Sequence, residues 1–357
     1  SMTRAWVEID LGALRRNGAV MAARAAALLP MIKADGYGIG AVAAARALEP
    51  LSPWGFGIAT LEEGRELRDA GVDRPIIVFT PALSDELGDI RAARLTPALG
   101  TPAQIDAWRA LGAGREDWHL AIDTGMHRAG VHWDEVDQLN TLLRAAPPEG
   151  AFTHYHSAEL DDGSLAEQER RFEHAIARLP APPALLHAEN SAALARTMKS
   201  KWSLARPGIF LYGVGSGPRA LAQPEPVVSL RARIAELHTI LDGESVSYDA
   251  SHRASGTRHI ATLPVGYADG YRRALGNRTH VLVRGRCAPV VGVVTMDMTM
   301  VDVTDIPCAV GDVVTLIGRD GDRVRDVESV ARDAELSPYE VLTGLKSRLP
   351  RRYVSAS

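Results

Sequence analysis

Leu28-Leu29-Pro30-Met31-Ile32-Lys33-Ala34-Asp35-Gly36-Tyr37-Gly38-Ile39-Gly40 is the stretch on which the fold turns. An apolar run carries one lysine to its end, three glycines are spaced around Tyr37, and an alanine-rich helix is predicted to follow. A lysine at the end of a buried strand is poorly solvated, which makes its neutral amine accessible. A neutral lysine amine forms a Schiff base with an aldehyde, so an aldehyde cofactor is one reading. The glycines let the backbone approach a bulky ligand, and the start of a helix can face an anion. On these residues alone a second reading stands beside the first, a strand-end lysine reaching solvent above an ordinary glycine turn.

The same rhythm repeats through the first two-thirds of the chain. Short apolar runs at 29–33, 55–59, 75–79, 96–99, 118–123, 151–155, 184–187 and 203–206 alternate with helical candidates at 61–70, 84–93, 101–111, 133–145, 164–179 and 191–198. Such alternation implies parallel strands joined by right-handed crossovers. Eight units suit a closed (β/α)8, TIM-like barrel better than an open doubly wound sheet. Chemistry in that barrel sits at the C-terminal strand ends. Lys33, Asp123, His154, His187 and Arg206 all fall at or just beyond the ends of these runs. No GxGxxG follows a strand, so a dinucleotide-binding half has no support.

The flanks read differently. Residues 6–11 alternate as a strand does, and 14–29 is predicted as a helix. A Gly- and Pro-rich connector, Gly213 to Pro226, precedes a change of period. Strands are then predicted at 227–241, 258–265, 280–284, 288–294, 299–303 and 313–317, and helices at 326–333 and 338–346. The expected domains are a barrel over 1–222 carrying the lysine and a mostly antiparallel β domain over 223–357. A barrel folds without such an addition, so the β domain asks for a functional reason.

Composition narrows the function classes. The 357 residues are 46% hydrophobic and 24% charged, which excludes disorder, and a net charge of -4 gives no electrostatic case for nucleic acid. Cys287 and Cys308 form no disulfide framework and no CxxC, and are expected as buried free thiols of a reducing compartment. Arg4 and Glu8 interrupt any apolar leader, and Ser1 before Met2 reads as a cloning remnant. The most apolar segment, 20–32, contains Arg24 and Pro30 and is too short for a bilayer, so a cytoplasmic location with no membrane partner is expected.

The 28–40 stretch resembles the pyridoxal-phosphate lysine motif of the alanine racemases, fold-III amino-acid racemases, and the resemblance extends over essentially the whole chain. It implies that Lys33 is the Schiff-base lysine of pyridoxal 5'-phosphate and Tyr37 a phosphate-side tyrosine. It places Arg206, in Ala205-Arg206-Pro207-Gly208-Ile209, against the pyridine nitrogen. An arginine does not in practice give up its proton, so it hydrogen-bonds the ring nitrogen without protonating it. An unprotonated ring is a weaker electron sink, which favours return of a proton to the α-carbon over transamination. The backbone of Gly208 and Ile209, the Ser191 hydroxyl beside Asn190, and Tyr339 would take the phosphate. Alone, Asn190-Ser191 is a helix N-cap pair and Tyr339 is packing.

Racemisation needs acid/base groups on both faces of the α-carbon. The resemblance assigns one face to Lys33 and the other to Tyr248, in Val246-Ser247-Tyr248, reaching in from the second subunit of a homodimer. That would be the reason for the β domain. An unperturbed phenol has a pKa near ~10, so Tyr248 needs a neighbour, and His154 stands where the family has its histidine. Read by itself, His154 is equally a satisfied barrel histidine. Arg128 would bind the substrate carboxylate. Tyr267, Met296 and Asp297 would wall the α-substituent, although one methylene is worth only about 1–3 kcal/mol of discrimination.

Four departures touch substrate handling. Ala121 stands where the family commonly carries a lysine, often carbamylated, so something else must orient Arg128: a neighbouring side chain or a bound chloride. His127 and Asp249 replace glycines, and the run from His156 to Glu159 replaces small residues. The expected activity is therefore alanine racemisation, supplying D-alanine for peptidoglycan, with a racemase of serine or broader substrates as the alternative. A decarboxylase of the same plan would want a carboxylate in place of Arg206, and a lone cofactor-carrying barrel would lack Tyr248.

Overall fold

In the computed structural model, which describes residues 3–112 and 117–355, the apolar runs become short parallel strands. Phe56–Ile58, Ile76–Val78, Thr96–Leu99, His119–Asp123, Gly150–Phe152 and Leu185–His187 pair in that order. Parallel bridges Leu28↔Ala205, Met31↔Gly57 and His187↔Leu204 insert 28–32 and 203–206 between the last strand and the first. The expected ring therefore closes. Its strands are almost wholly buried because one face meets the barrel interior and the other the helices. That is why they read as unbroken apolar runs. The helices Leu61–Asp69 and Pro102–Arg109 each begin with a capping box, Thr60 with Glu63 and Thr101 with Gln104. This unit comprises Leu14–Gly36 and Gly40–Glu225.

The second unit comprises Ser1–Ala13, Tyr37–Ile39 and Pro226–Ser357. The first strand, Ala5–Asp10, belongs to it because it pairs antiparallel with Val228–Arg233 and parallel with Arg351–Val354. A smaller antiparallel sheet is built from Glu236–Ile240, Arg258–Leu263 and Thr299–Asp302. The mostly antiparallel character is as expected. The single strand predicted at 227–241 is instead two strands in two sheets, broken where the N–H groups of Ile234 and Ala235 turn to the carbonyls of Asp312 and Thr262. The helix predicted at 14–29 is Leu11–Ala22, since residues from 28 onward enter the ring.

The cysteine expectation is corrected. Cys287 is exposed on the edge strand Arg286–Pro289, with Arg323 Nη1 3.5 Å from its Sγ, and Cys308 is half-buried. An edge strand turns alternate residues to solvent whatever their chemistry. Among the described residues no helix is long and apolar enough to cross a membrane, and no cluster of His, Cys, Asp or Glu is placed to hold a metal ion.

Candidate active site

Lys33 sits at the C-terminal end of the first ring strand and is followed by a left-handed turn. Ala34, Asp35, Gly36 and Tyr37 have φ of 52°, 54°, 61° and 54°. Three of the four carry a Cβ, and each such residue costs roughly 1–2 kcal/mol in this conformation. Strain of that size persists only where the surroundings over-determine it. Here the Glu63 carboxylate accepts from Ala34 N at 2.6 Å, Gly36 N donates to Ile32 O at 3.0 Å, and the Asp35 carboxylate accepts from Ala41 N at 2.9 Å. Glu63 also accepts from Ala59 N at 2.7 Å, so one side chain holds its own helix start and the lysine turn. Sequence reading passed over Glu63, although the capping-box spacing Thr60-x-x-Glu63 signals it.

A buried polar chain crosses the barrel interior. Arg206 Nη1 donates to His187 Nδ1 at 2.7 Å and Nη2 to Thr153 O at 2.7 Å. An arginine only donates, so the His187 proton lies on Nε2 and is given to His119 Nδ1, 2.8 Å away. The proton of His119 then lies on Nε2, 3.6 Å from the Glu149 carboxylate, too long for a hydrogen bond. Phe152 stacks on His187 at 5.0 Å, and the Arg206 guanidinium lies 5.3 Å from the Phe152 ring centre. Gly150 makes room, since a Cβ there would stand 2.6 Å from the His119 ring. Burial and the Arg206 charge hold His187 well below the ordinary histidine range, and burial lowers Arg206 to about 10.

Lys33, His154, Arg128 and Arg206 share one electrostatic neighbourhood. Burial, then Arg128 and Arg206, pull the Lys33 ammonium below its usual range against the opposing Glu63 charge. His154 is pushed down to about 3 by burial, Arg206, Arg128 and Lys33. Cations gathered with so little compensation suit an anionic ligand, and a lowered lysine is a better nucleophile and base. Ser191 Oγ accepts from Gly208 N at 2.8 Å and Phe210 N at 3.2 Å, which brings Asn190, Ser191, Gly208 and Ile209 to one place. Asn190 is also the cap of the helix Ser191–Ala195, through Ala193 N at 3.0 Å.

The loop carrying Arg128 is pinned from behind. Asp123 accepts from Gly125 N at 2.9 Å, His127 N at 3.0 Å and His127 Nδ1 at 3.1 Å; burial raises its carboxyl, and these donors outweigh it and hold it low. Buried Gln168 donates to Thr124 Oγ1 and His154 O and accepts from His156 N, stitching this loop to the next strand end. Ala121 lies in an apolar cluster with Ala98, Phe152 and Phe79. His127 and Asp249 have φ of 55° and 60°, left-handed conformations that favour glycine.

The other named residues lie in the β unit. Tyr37 is buried with its ring 6.0 Å from that of Tyr339; burial and Tyr339 raise its phenol. Tyr267 N donates to Thr295 O at 2.9 Å and Ala268 N to Met296 O at 3.0 Å, so Tyr267, Met296 and Asp297 are brought together. Tyr248 is exposed on a turn where Ser247, Asp249 and Ala250 all have positive φ, and Ser247 Oγ anchors that turn to Val293 O at 2.9 Å.

Residues 9–216 match the family profile of the alanine racemase N-terminal domain and residues 227–353 that of its C-terminal domain. An alanine racemase of Symbiobacterium thermophilum is 37% identical over 369 residues, covering 99% of this chain and 97% of its own. The crystal structure of alanine racemase from E. faecalis superposes with a TM-score of 0.92 at 30% identity, covering 98% of each chain. That of Bartonella henselae alanine racemase, described with covalently bound pyridoxal phosphate, gives 0.91 at 28% identity over 99% of this chain and 100% of the other.

Proposed function

Because this chain belongs to the alanine racemase family, we propose that it interconverts L- and D-alanine with pyridoxal 5'-phosphate, using Lys33 and Tyr248 on opposite faces of the α-carbon. The observation that carries the reading is the lowered Lys33 amine beside Arg206, with Ser191 and Gly208 close together in the same unit. The donor set fits the cofactor: an amine for its aldehyde, an arginine for its ring nitrogen, and amide and hydroxyl donors for its phosphate. When bound, the cofactor supplies the electron sink that weakens the α-C–H bond.

Lys33 Nζ would hold the cofactor at its aldehyde carbon until the substrate amine takes its place, and the freed Lys33 amine would then take or return the α-proton on its face. Arg206, held by His187 and Thr153, would hydrogen-bond the ring nitrogen and leave it unprotonated. Tyr37, Asn190, Ser191, Gly208, Ile209 and Tyr339 would hold the phosphate, and Arg128 the substrate carboxylate. Tyr248 Oη, from the partner of a homodimer, moves the proton on the other face, and His154, kept neutral at ordinary pH, accepts from it. In this division of labour the barrel unit supplies Lys33, Arg206, Asn190, Ser191, Gly208 and Ile209 to the cofactor, and the β unit supplies Tyr37 and Tyr339, the second base and the wall of Tyr267, Met296 and Asp297. The product would serve peptidoglycan synthesis in the cytoplasm.

A second reading, a racemase accepting serine or larger amino acids, is favoured by Ala121 and His127, which alter the surroundings of Arg128. Both are tested by α-proton exchange in heavy water, followed by proton NMR, for L-alanine, L-serine and larger amino acids beside a Lys33→Ala control. Fastest loss of the alanine signal with D-alanine formed supports the first reading. Faster exchange of another amino acid transfers the activity to it, and no exchange with cofactor bound refutes racemisation.

A further inference from the structure

The segments that carry Tyr267 and Met296 are tied to each other through the carboxylates of Asp269 and Asp297. Arg348 Nε donates to Asp269 Oδ1 at 2.6 Å and Nη2 to Asp269 Oδ2 at 3.0 Å, a bidentate fork, while Nη2 also reaches Asp297 Oδ1 at 2.8 Å. Asp269 is buried and closes the turn Tyr267–Asp269 by accepting from Gly266 N at 2.9 Å. Its backbone carbonyl accepts from Lys346 N at 3.0 Å, two residues before Arg348. The three segments lie backbone to backbone. A Cβ on Gly266 would stand 2.3 Å from Thr295 O, and one on Gly270 2.2 Å from Gly344 O.

We infer that Arg348 is a positioning residue for the substrate wall: its guanidinium ties the turn carrying Tyr267 to the segment Met296-Asp297 and so sets how closely they confine the α-substituent. The inference rests on the reading of Tyr267 and Met296 as that wall. The physical reason is charge and shape together. One planar guanidinium satisfies two carboxylates from two segments, which a single ammonium cannot do with the same geometry. Without it, a buried Asp269 carboxylate would lose both side-chain donors and face Asp297 across an uncompensated gap. The segments would then separate, and the space offered to the substrate side chain would widen.

The test measures kcat and KM for L-alanine and L-serine in the holoenzyme, for the wild type, Arg348→Met, Arg348→Lys and Tyr267→Ala, with melting temperature and the visible absorbance of bound cofactor as companions. Arg348→Met is expected to lower kcat/KM for alanine about 10- to 100-fold, mostly through KM, and to shrink the preference for alanine over serine with cofactor absorbance unchanged. Arg348→Lys recovers KM in part and not the preference. Should Arg348→Met fail to fold, Asp297→Asn removes one arm of the clamp and is expected to move KM the same way by less. Wild-type KM and preference in Arg348→Met, while Tyr267→Ala raises KM, would overturn the inference even if the melting temperature falls. An unchanged KM in Tyr267→Ala would refute the wall itself and the clamp with it.

Discussion

The two units carry their chemistry in opposite ways. In the barrel, His119, His187 and Arg206 are buried, Arg206 and His187 aim one another and His187 meets His119, and burial with the Arg206 charge holds His187 well below the ordinary histidine range. In the β unit, Tyr248 is 69% exposed, Tyr339 50% and Met296 53%, the first and last on irregular segments and Tyr339 on the helix Pro338–Thr343, and in each it is the backbone that is held. The contrast teaches that the groups of the barrel are organised by that unit's own interior, whereas those of the β unit stand at its surface on a held backbone. Burial makes the first set expensive to disturb, whereas the surface side chains of the second are removed at little cost in stability.

The largest expected effect separates these two properties at a single residue. Tyr248→Phe should lower D-alanine formation about 100- to 10,000-fold, the usual worth of a general acid/base, and change unfolding free energy by less than about 0.5 kcal/mol. Parallel assays of racemisation and urea unfolding check it; a loss of both would break the comparison. His187→Ala reverses the pattern, since Arg206 Nη1 and His119 Nδ1 both lose their partner. Each unsatisfied buried group costs about 1–3 kcal/mol, so a marked fall in the urea midpoint is expected.

A third test uses pH on the protein freed of cofactor. The folded value of His154, about 3, lies below its ordinary 6.5, and His187 and His119 are displaced in the same direction. The unfolded chain therefore binds more protons between these values, so stability is full above about 6.5 and is lost as pH falls toward 3. Melting temperatures across that window should decline, and less steeply in His154→Gln; a flat profile would count against the buried neutral histidines. The smallest effect belongs to the surface. Asp249→Gly relieves a left-handed φ of 60° but loosens the unfolded chain, so the net shift should stay within about 1 kcal/mol by calorimetry.

The departures from the family pattern gain a physical meaning from the backbone. His127 and Asp249 were visible in the sequence only as replacements for glycine. Both sit at positive φ, where glycine is free of strain and Asp and His are among the tolerated exceptions. His127 offsets part of its strain through two hydrogen bonds to Asp123. Ala121 was legible as a missing lysine, yet what fills its surroundings, the rings of Phe79 and Phe152, comes from segments distant in the chain.

By itself the sequence determined the order of strands and helices, the ring, the change to antiparallel pairing, and the lysine at the end of the first ring strand. These follow from periods of two and of 3.6 and from apolar runs, signals carried by residues close together in the chain. It could not show the left-handed turn after Lys33, because Ala34 and Tyr37 have no local reason to adopt it; Glu63 imposes it from 29 residues away. Nor could it join Arg206 to His187 and His119, or Arg348 to Asp269 across a separation of 79 residues. A hydrogen bond depends on where two atoms stand in space, to within a few tenths of an ångström, and only the closed ring and the packed sheets set those positions.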